Sequence, residues 1–292
     1  MNTNKLNIRV KKILGNTSKK IIFKLMFPFR NHFLLLNFTN IAKKNKVNLN
    51  YWLESDNLGD TLTPIIVNYL LKRKNIDPNK TVHGTKHLYA VGSVITQGMQ
   101  DCTVWGSGVL NAHLGYRLEG RKLDIRSVRG PFTRTYLRDY GFQCPAIYGD
   151  PAIFMPLIYT PTENIKKIYK YGVIMHMDQI IPIEKRNDTL IIDICTANYV
   201  EFINKIMSCE KIISSSLHGI ILAETYGVQA ILLKPTKDYL KYDDWYYSTL
   251  RYDYPTVNSI EEGMRTPPIA LPTNLNKLRE EQIKAFPYDL YE

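Results

Sequence analysis

The 292-residue sequence predicts an α/β protein made of two Rossmann-like halves. Three observations carry the prediction. Short apolar runs ending in Gly, Ser or Asp alternate with stretches of helical apolar spacing, as parallel strands joined by crossover helices do. The alternation runs twice, from Val47 and again from Tyr171, with Pro156, Pro161 and the polar stretch TENIKK between the two series. The length suits two domains, each able to bury its own core.

In the first half, VNLNYWLE from Val47 is a strand, NLGD from Asn57 a turn, and Thr61 to Lys74 a helix with Leu62, Ile65, Ile66, Tyr69 and Leu70 at helical spacing. LYAVG, TVWGSG, LDIRSV and AIYG are further strands, with GPFTRTYLRDYG a helix after the third of these. In the second half, YGVIMHM and LIIDIC are strands, NYVEFINKIMSCE a helix, KIISSS a strand, LHGIILAETYG a helix and QAILLK a strand. TNLNKLREEQIKAF reads as a last amphipathic helix. The boundaries that follow are an arm over 1–46, a first Rossmann-like domain over 47–155, a linker over 156–169 and a second domain over 170–292 that includes the last helix.

With 45% hydrophobic residues the chain is not disordered, and its four cysteines, far apart and without a CxxC pair, support neither a disulfide scaffold nor a cysteine zinc site. A reducing cytoplasm is the expected home. The net charge of +11 sits entirely in residues 1–50, which hold 11 Lys/Arg and no Asp or Glu. A nucleic-acid binder would spread its basic footprint over a folded face, so nucleic acid is not an expected partner. The arm, KKIIFKLMFPFRNHFLLLNFTNIAKKNK from Lys19, is too charged to span a bilayer and lacks the clean core and cleavage site of a secretory signal. Two readings stand. A helix could lie in the anionic cytoplasmic interface at the inner face of the membrane, or Phe23, Leu25, Met26, Phe33, Leu34 and Leu35 could pack on the body as a cap.

Open parallel sheets bind ligands beyond the carboxyl ends of their strands. Ile212-Ile213 runs into Ser214-Ser215-Ser216-Leu217-His218-Gly219 and then a helix, which puts hydroxyls, backbone N–H groups and an imidazole where an anion is welcome; alternatively the serines only cap the helix and His218 is a core histidine. Arg129, at a strand end before a Gly-Pro helix start, is expected to face the cleft. Asn57-Leu58-Gly59-Asp60 follows the first strand, with Asp60 read as the cap of the helix from Thr61. Gly92-Ser93 and Gly106-Ser107-Gly108 are two more turns on the same rim. Neither a dinucleotide GxGxxG nor a nucleoside-triphosphate loop is present. His83, His87 and His113 sit in predicted loops without a metal motif, so no metal is expected.

In order along the chain, NLGDTLTPIIV, VGSVI, VWGSGV, SVRGPFTRTYLRDYG, YGDPA, YGVIMHMD, SSSLHGIILAETYGV and KYDDWYYS make the sequence resemble the polysaccharide pyruvyltransferase family over roughly residues 50 to 250. The resemblance implies a two-domain architecture like the GT-B glycosyltransferase fold, phosphoenolpyruvate as donor substrate with no further cofactor, and a glycan acceptor, lipid-linked in surface polysaccharide synthesis, that receives a cyclic pyruvate ketal. It puts the family's essential histidine on His218 and its donor-binding arginine on Arg129. His176, after YGVIM, matches a family histidine on the same cleft. Where many members have Arg before Leu-His this chain has Ser216, so Lys234 or Lys241 would have to supply that charge, or the donor is held differently. Asn57, Gly59, Asp60, Ser107, His176, Ser215, Ser216, Leu217, Lys234 and Lys241 are thus the candidate substrate-binding residues, with His218 and Arg129 catalytic. Trp245, Tyr246 and Tyr247 could offer a sugar platform or belong to the core. A nucleotide-sugar glycosyltransferase on the same architecture is the alternative; it would release a nucleotide where a pyruvyltransferase releases phosphate. A non-catalytic carbohydrate-binding module is a third reading, against which the pairing of His218 with Arg129 argues.

Overall fold

A computed structural model describes residues 16–35, 37–110, 112–162, 164–179, 184–236 and 240–292, so the first fifteen residues of the arm lie outside the described residues. The rest of the arm forms helix α1 (Asn16–Met26), a 3-10 turn (Phe27–His32) and an antiparallel ribbon of β1 (Phe33–Leu34) and β2 (Asn37–Ile41). It is fastened to the body. Arg30 makes a bidentate pair with Asp101 at 2.7 and 3.0 Å, the Gln100 amide donates to the Leu35 carbonyl, and Phe23 packs edge-on against Tyr116. Phe23 and Leu35 are buried and Met26, Phe33 and Leu34 partly so, whereas Leu25 points outward.

The first half then runs β3 (Val47–Leu49), α2 (Leu58–Arg73), β4 (Lys86–Tyr89), β5 (Cys102–Trp105), β6 (Leu123–Ser127), α3 (Pro131–Asp139) and the short α4 (Met155–Ile158). Its sheet is parallel in the order β3-β4-β5-β6. The second half runs β7 (Tyr169–Ile174), β8 (Thr189–Ile191), α5 (Tyr199–Met207), β9 (Cys209–Ser214), α6 (Leu217–Thr225), β10 (Gln229–Leu233), α7 (Leu240–Ser248), β11 (Thr256–Val257), α8 (Ile260–Arg265) and α9 (Leu275–Lys284). Its sheet is parallel too, in the order β11-β10-β9-β7-β8. The chain is thus a mixed α/β protein with parallel sheets. Parallel sheets need cover on both faces, which is why β5 is buried at all four positions.

Several expected elements shift. The strand expected through Glu54 stops at Leu49, because the buried Asn50 side chain accepts the Leu35 N–H and turns inward. AIYG supplies a single bridge, Tyr148 to Val128, instead of a strand. His87, expected in a loop, lies in β4, buried between Asn50 and the Asn31 carbonyl. The final helix, α9, sits against the first sheet: the Trp105 indole donates to the Gln282 carbonyl at 2.8 Å, and the Gln282 amide bonds Ser127 and Gly149. One apolar cluster joins Leu62 and Ile66 of α2, Trp105, Phe154, Ile174, Ile212 and Leu222 of α6 across both sheets; each such side chain contributes about 1.5–3 kcal/mol on burial. Among the described residues no helix is long and apolar enough to cross a membrane.

The two sheets bring their carboxyl ends together. The Leu58 N–H, at the start of α2, donates to the Ile194 carbonyl beyond β8 at 3.0 Å. The loops after the strands of both halves therefore share one junction.

Candidate active site

Helix α2 begins at Leu58, three residues before the expected start, because Asn57 and not Asp60 caps it: the Asn57 Oδ1 accepts the Gly59 N–H at 3.1 Å. The Asn57 amide also reaches Met177 in the second half. Asp60 is thereby released from capping and lies in the first turn, where its carboxylate meets the bare Cα of Gly92, at which a Cβ would come within 2.8 Å. Burial pushes the Asp60 carboxyl up to about 6, against the pull of His218, the Trp52 N–H and Lys241. A carboxyl so placed keeps a proton into mildly acidic solution.

His218 enters from the other side, on the first turn of α6. Its ring lies on Gly59, where any Cβ would be 1.8 Å from Nδ1. Its Nε2 faces the Asp150 Oδ2 at 3.5 Å, with side-chain exposures of 12% and 0%. Neither atom has a hydrogen-bond partner although both are buried. The other Asp150 oxygen accepts the Ala152 N–H and so fixes the carboxylate. Two orphaned polar atoms facing one another in a buried corner carry a cost of about 1–3 kcal/mol each.

The serines divide their duties. Ser214 is structural, donating to the Ile174 carbonyl and accepting the Ser216 N–H. Ser215 Oγ accepts the His176 N–H and Ser216 Oγ caps α6 through the Gly219 N–H at 3.4 Å, so both hydroxyls retain a proton to donate. Leu217 is core. His176 is half-buried, its Nδ1 accepting the Asp178 N–H. Ser107, wholly buried, donates to the Gly92 carbonyl and braces the turn opposite Asp60. Lys241, on α7, is 9% exposed and within electrostatic reach of Asp60. Lys234 is exposed at the end of β10. Among the described residues no group of three or more His, Cys, Asp or Glu could hold a metal ion.

Arg129 differs from expectation. Its side chain is fully buried and does not open onto the cleft, because Gly108 leaves room for the guanidinium and Asp244 attracts it: Nη2 meets the Asp244 carboxylate at 3.2 Å and the Val109 carbonyl at 3.1 Å, and Nη1 donates to Ser93 at 2.6 Å. Trp245 and Tyr246 are core rather than a sugar platform, and only Tyr247 is half-buried. Sequence reasoning missed Asp150 and Asp244. For Asp150 a signal existed, an acid between Gly and Pro at the end of the last apolar run of the first half; for Asp244, in a run of aromatics, there was none.

The model of the family described as Polysaccharide pyruvyl transferase matches residues 57–236, the span that contains Asn57, Asp60, Asp150 and His218. Among curated proteins, the chain is similar to "Uncharacterized protein L143" of Acanthamoeba polyphaga mimivirus, 27% identical over 75% of this chain and 76% of the relative. It is also similar to "Succinoglycan biosynthesis protein ExoV" of Rhizobium meliloti (strain 1021), 28% identical over 67% of this chain and 62% of the relative. Among solved structures, a functionally uncharacterized protein, KP1_0663, from Klebsiella pneumoniae matches with a TM-score of 0.48 and 13% identity, over 84% of this chain and 100% of that one.

Proposed function

The chain belongs to the polysaccharide pyruvyl transferase family, and on that premise we propose that it moves the enolpyruvyl group of phosphoenolpyruvate onto two hydroxyls of one glycan sugar as a cyclic ketal, releasing phosphate. A relative named for succinoglycan biosynthesis supports a surface-polysaccharide setting. Two parallel sheets with their carboxyl ends at one junction are the layout a GT-B-like enzyme would use. The observation that carries the reading is the meeting of His218 with Asp150 and with Gly59, the neighbour of Asp60, at that junction.

Ketal formation needs a proton delivered to the methylene carbon, deprotonation of two hydroxyls, and cations or N–H groups for the phosphate and carboxylate. The His218 imidazole is the proton-transfer group, and the Asp150 carboxylate, facing Nε2 at 3.5 Å, orients the ring. Asp60, whose carboxyl stays protonated up to about pH 6, is the second acid/base. The amino end of α6 with the Ser215 and Ser216 hydroxyls receives an anionic group of the donor. Asn57, Gly59 and Ser107 shape the opposite wall, and His176 borders it.

The outward face of the arm also enters this reading. Ile21, Leu25 and Phe29 are 54%, 68% and 62% exposed beside the exposed Lys20 and Lys24. An anionic membrane surface would receive that face and hold the enzyme near a lipid-linked acceptor.

The test is phosphate release from phosphoenolpyruvate across a panel of lipid-linked and nitrophenyl glycosides, with the product checked for a ketal. Release that depends on one acceptor class is expected. Nucleotide release from a sugar nucleotide, with phosphoenolpyruvate inert, would overturn the reading in favour of a glycosyltransferase.

A further inference from the structure

We propose that Trp52, on the loop between β3 and α2, is the stacking platform for the acceptor, its indole face receiving one pyranose ring beside the Asp60 carboxyl. That the ring is an acceptor rests on the pyruvyl-transfer reading above; that a sugar binds there does not.

Strand β3 stops at Leu49 because Asn50 turns inward, its amide lying 3.1 Å from the Asn48 carbonyl and 3.0 Å from the His87 Nδ1. Tyr51 to Asp56 therefore leave the sheet at its carboxyl end and run as a loop to Asn57, the cap of α2. Within that loop the Trp52 N–H donates to the Asp60 carboxylate, one oxygen of which also faces the bare Cα of Gly92. The Trp52 side chain thus leaves the backbone next to an atom already bonded to Asp60. The residue before Asp60 is Gly59, on which the His218 ring lies.

Tryptophan is among the residues most buried on average, and Trp105 and Trp245 conform, at 0% exposure. Trp52 does not. It is half-buried and joins none of the three apolar clusters formed by the described residues. Its Nε1–H donates to the Ser55 hydroxyl at 3.1 Å, which ties the indole to its own loop and occupies its one polar atom. What the ring has left to offer a ligand is a flat apolar face. A pyranose presents C–H groups on one face and hydroxyls at its edge, so the indole meets the first and Asp60 can hydrogen-bond the second.

A nucleobase also stacks on indole, but it brings phosphates with it. The loop from Tyr51 to Leu58 carries Glu54 and Asp56 and neither Lys nor Arg. Across from it Asp193, exposed beyond β8, accepts the Cys195 N–H at 2.9 Å; burial, Asp193 and Asp56 together push the Cys195 thiol up, which places both carboxylates around one point of the rim. An acidic rim repels phosphates and leaves a neutral sugar ring unaffected. The sequence hid this platform because VNLNYWLE reads as one strand, and the aromatics of KYDDWYYS drew attention to α7, where Trp245 and Tyr246 are core.

The test has a binding arm and a kinetic arm. Of the three tryptophans in the chain the other two are sealed, so a ligand-dependent change in tryptophan emission reports on Trp52. Wild type and Trp52→Phe are titrated with methyl glycosides of hexoses and N-acetylhexosamines and with uridine diphosphate. An emission change with at least one glycoside in wild type, absent in Trp52→Phe, is expected. No response to any glycoside, or a larger response to uridine diphosphate, overturns the platform. In phosphate release, Trp52→Ala should raise the acceptor KM at least about tenfold and leave the KM for phosphoenolpyruvate within about twofold; Trp52→Phe should restore part, and Trp52→Leu, apolar but not flat, should not. Tm should stay within about 2 °C in all three, since the indole lies outside the core and each variant keeps its N–H on Asp60. An unchanged acceptor KM in Trp52→Ala, or a rise confined to the donor KM, overturns the assignment. If wild type shows no turnover with phosphoenolpyruvate, the pyruvyl-transfer reading fails by itself, and the emission titration still decides whether Trp52 receives a sugar.

Discussion

Gly59 shows how far a single residue's meaning depends on its neighbours. In a helix, glycine is about 1 kcal/mol less favourable than alanine, so local reasoning predicts that Gly59→Ala stabilises the protein. The His218 ring occupies the space a Cβ would need, so we expect Gly59→Ala to displace the ring and lower phosphate release at least about 100-fold, while the chain stays folded by circular dichroism. His218→Asn should match that loss. Activity near wild type in either variant would remove His218 from the chemistry. Asp60 gives a pH signature of defined sign. Between its ordinary 3.8 and about 6 the native chain holds a proton that the unfolded chain has lost, so Asp60 takes stability away as pH rises through that window. Asp60→Asn removes this dependence. The variant's gain in unfolding free energy over wild type should grow from near zero at about pH 4 to at most about 3 kcal/mol above about pH 6.5. Urea titrations at a series of pH values read it, and a flat difference would contradict the placement. At this scale the sequence made His218 and the NLGD turn visible, since both are local patterns after apolar runs. It could not show that Gly59 makes room for His218, a contact between residues far apart in the chain.

Helix termini were legible to within a few residues, and the error at α2 is instructive. Asn57 and Asp60 are both good caps, and local propensity does not rank them; the contact of Leu58 with the Ile194 carbonyl starts the helix early. Asn57→Ala should therefore cost about 1 kcal/mol in urea unfolding. The C-terminal helix was foreseen as an amphipathic element of the second half, yet its Gln282 joins Ser127, Gly149 and Trp105 of the first. Gln282→Ala takes the side-chain partner from the Ser127 hydroxyl and the Gly149 carbonyl, while the Trp105 indole keeps its bond to the backbone carbonyl of residue 282, and should cost about 1–3 kcal/mol, whereas Lys277→Ala, on the exposed face of the same helix, should change stability by less than about 0.5 kcal/mol. Equal effects would mean that the helix is not a clasp.

At the scale of the whole molecule the arm packs on the body through Phe23, Arg30 and Leu35 and turns Ile21, Leu25 and Phe29 outward, the face we propose for the membrane. Replacing those last three by Ser should abolish sedimentation with anionic vesicles at low salt while leaving Tm unchanged; deleting residues 1–46 should lower Tm as well, because it strips Asp101 and Gln100 of partners. Binding that survives the triple substitution would place the membrane contact elsewhere. Chelation is expected to leave turnover intact, and loss in EDTA restored by a divalent ion would argue for a metal-dependent transferase. The sequence by itself determined the alternation of apolar runs and helices, hence the parallel α/β class and the family, because those follow from local periodicity and from short motifs at strand ends. Tertiary structure alone decided that Arg129 is sealed against Asp244, that Asp150 faces His218, and that α9 belongs to the first sheet. Each of these is a pairing of polar groups drawn from distant segments, and which charge finds which partner is fixed only when burial has taken water away from both.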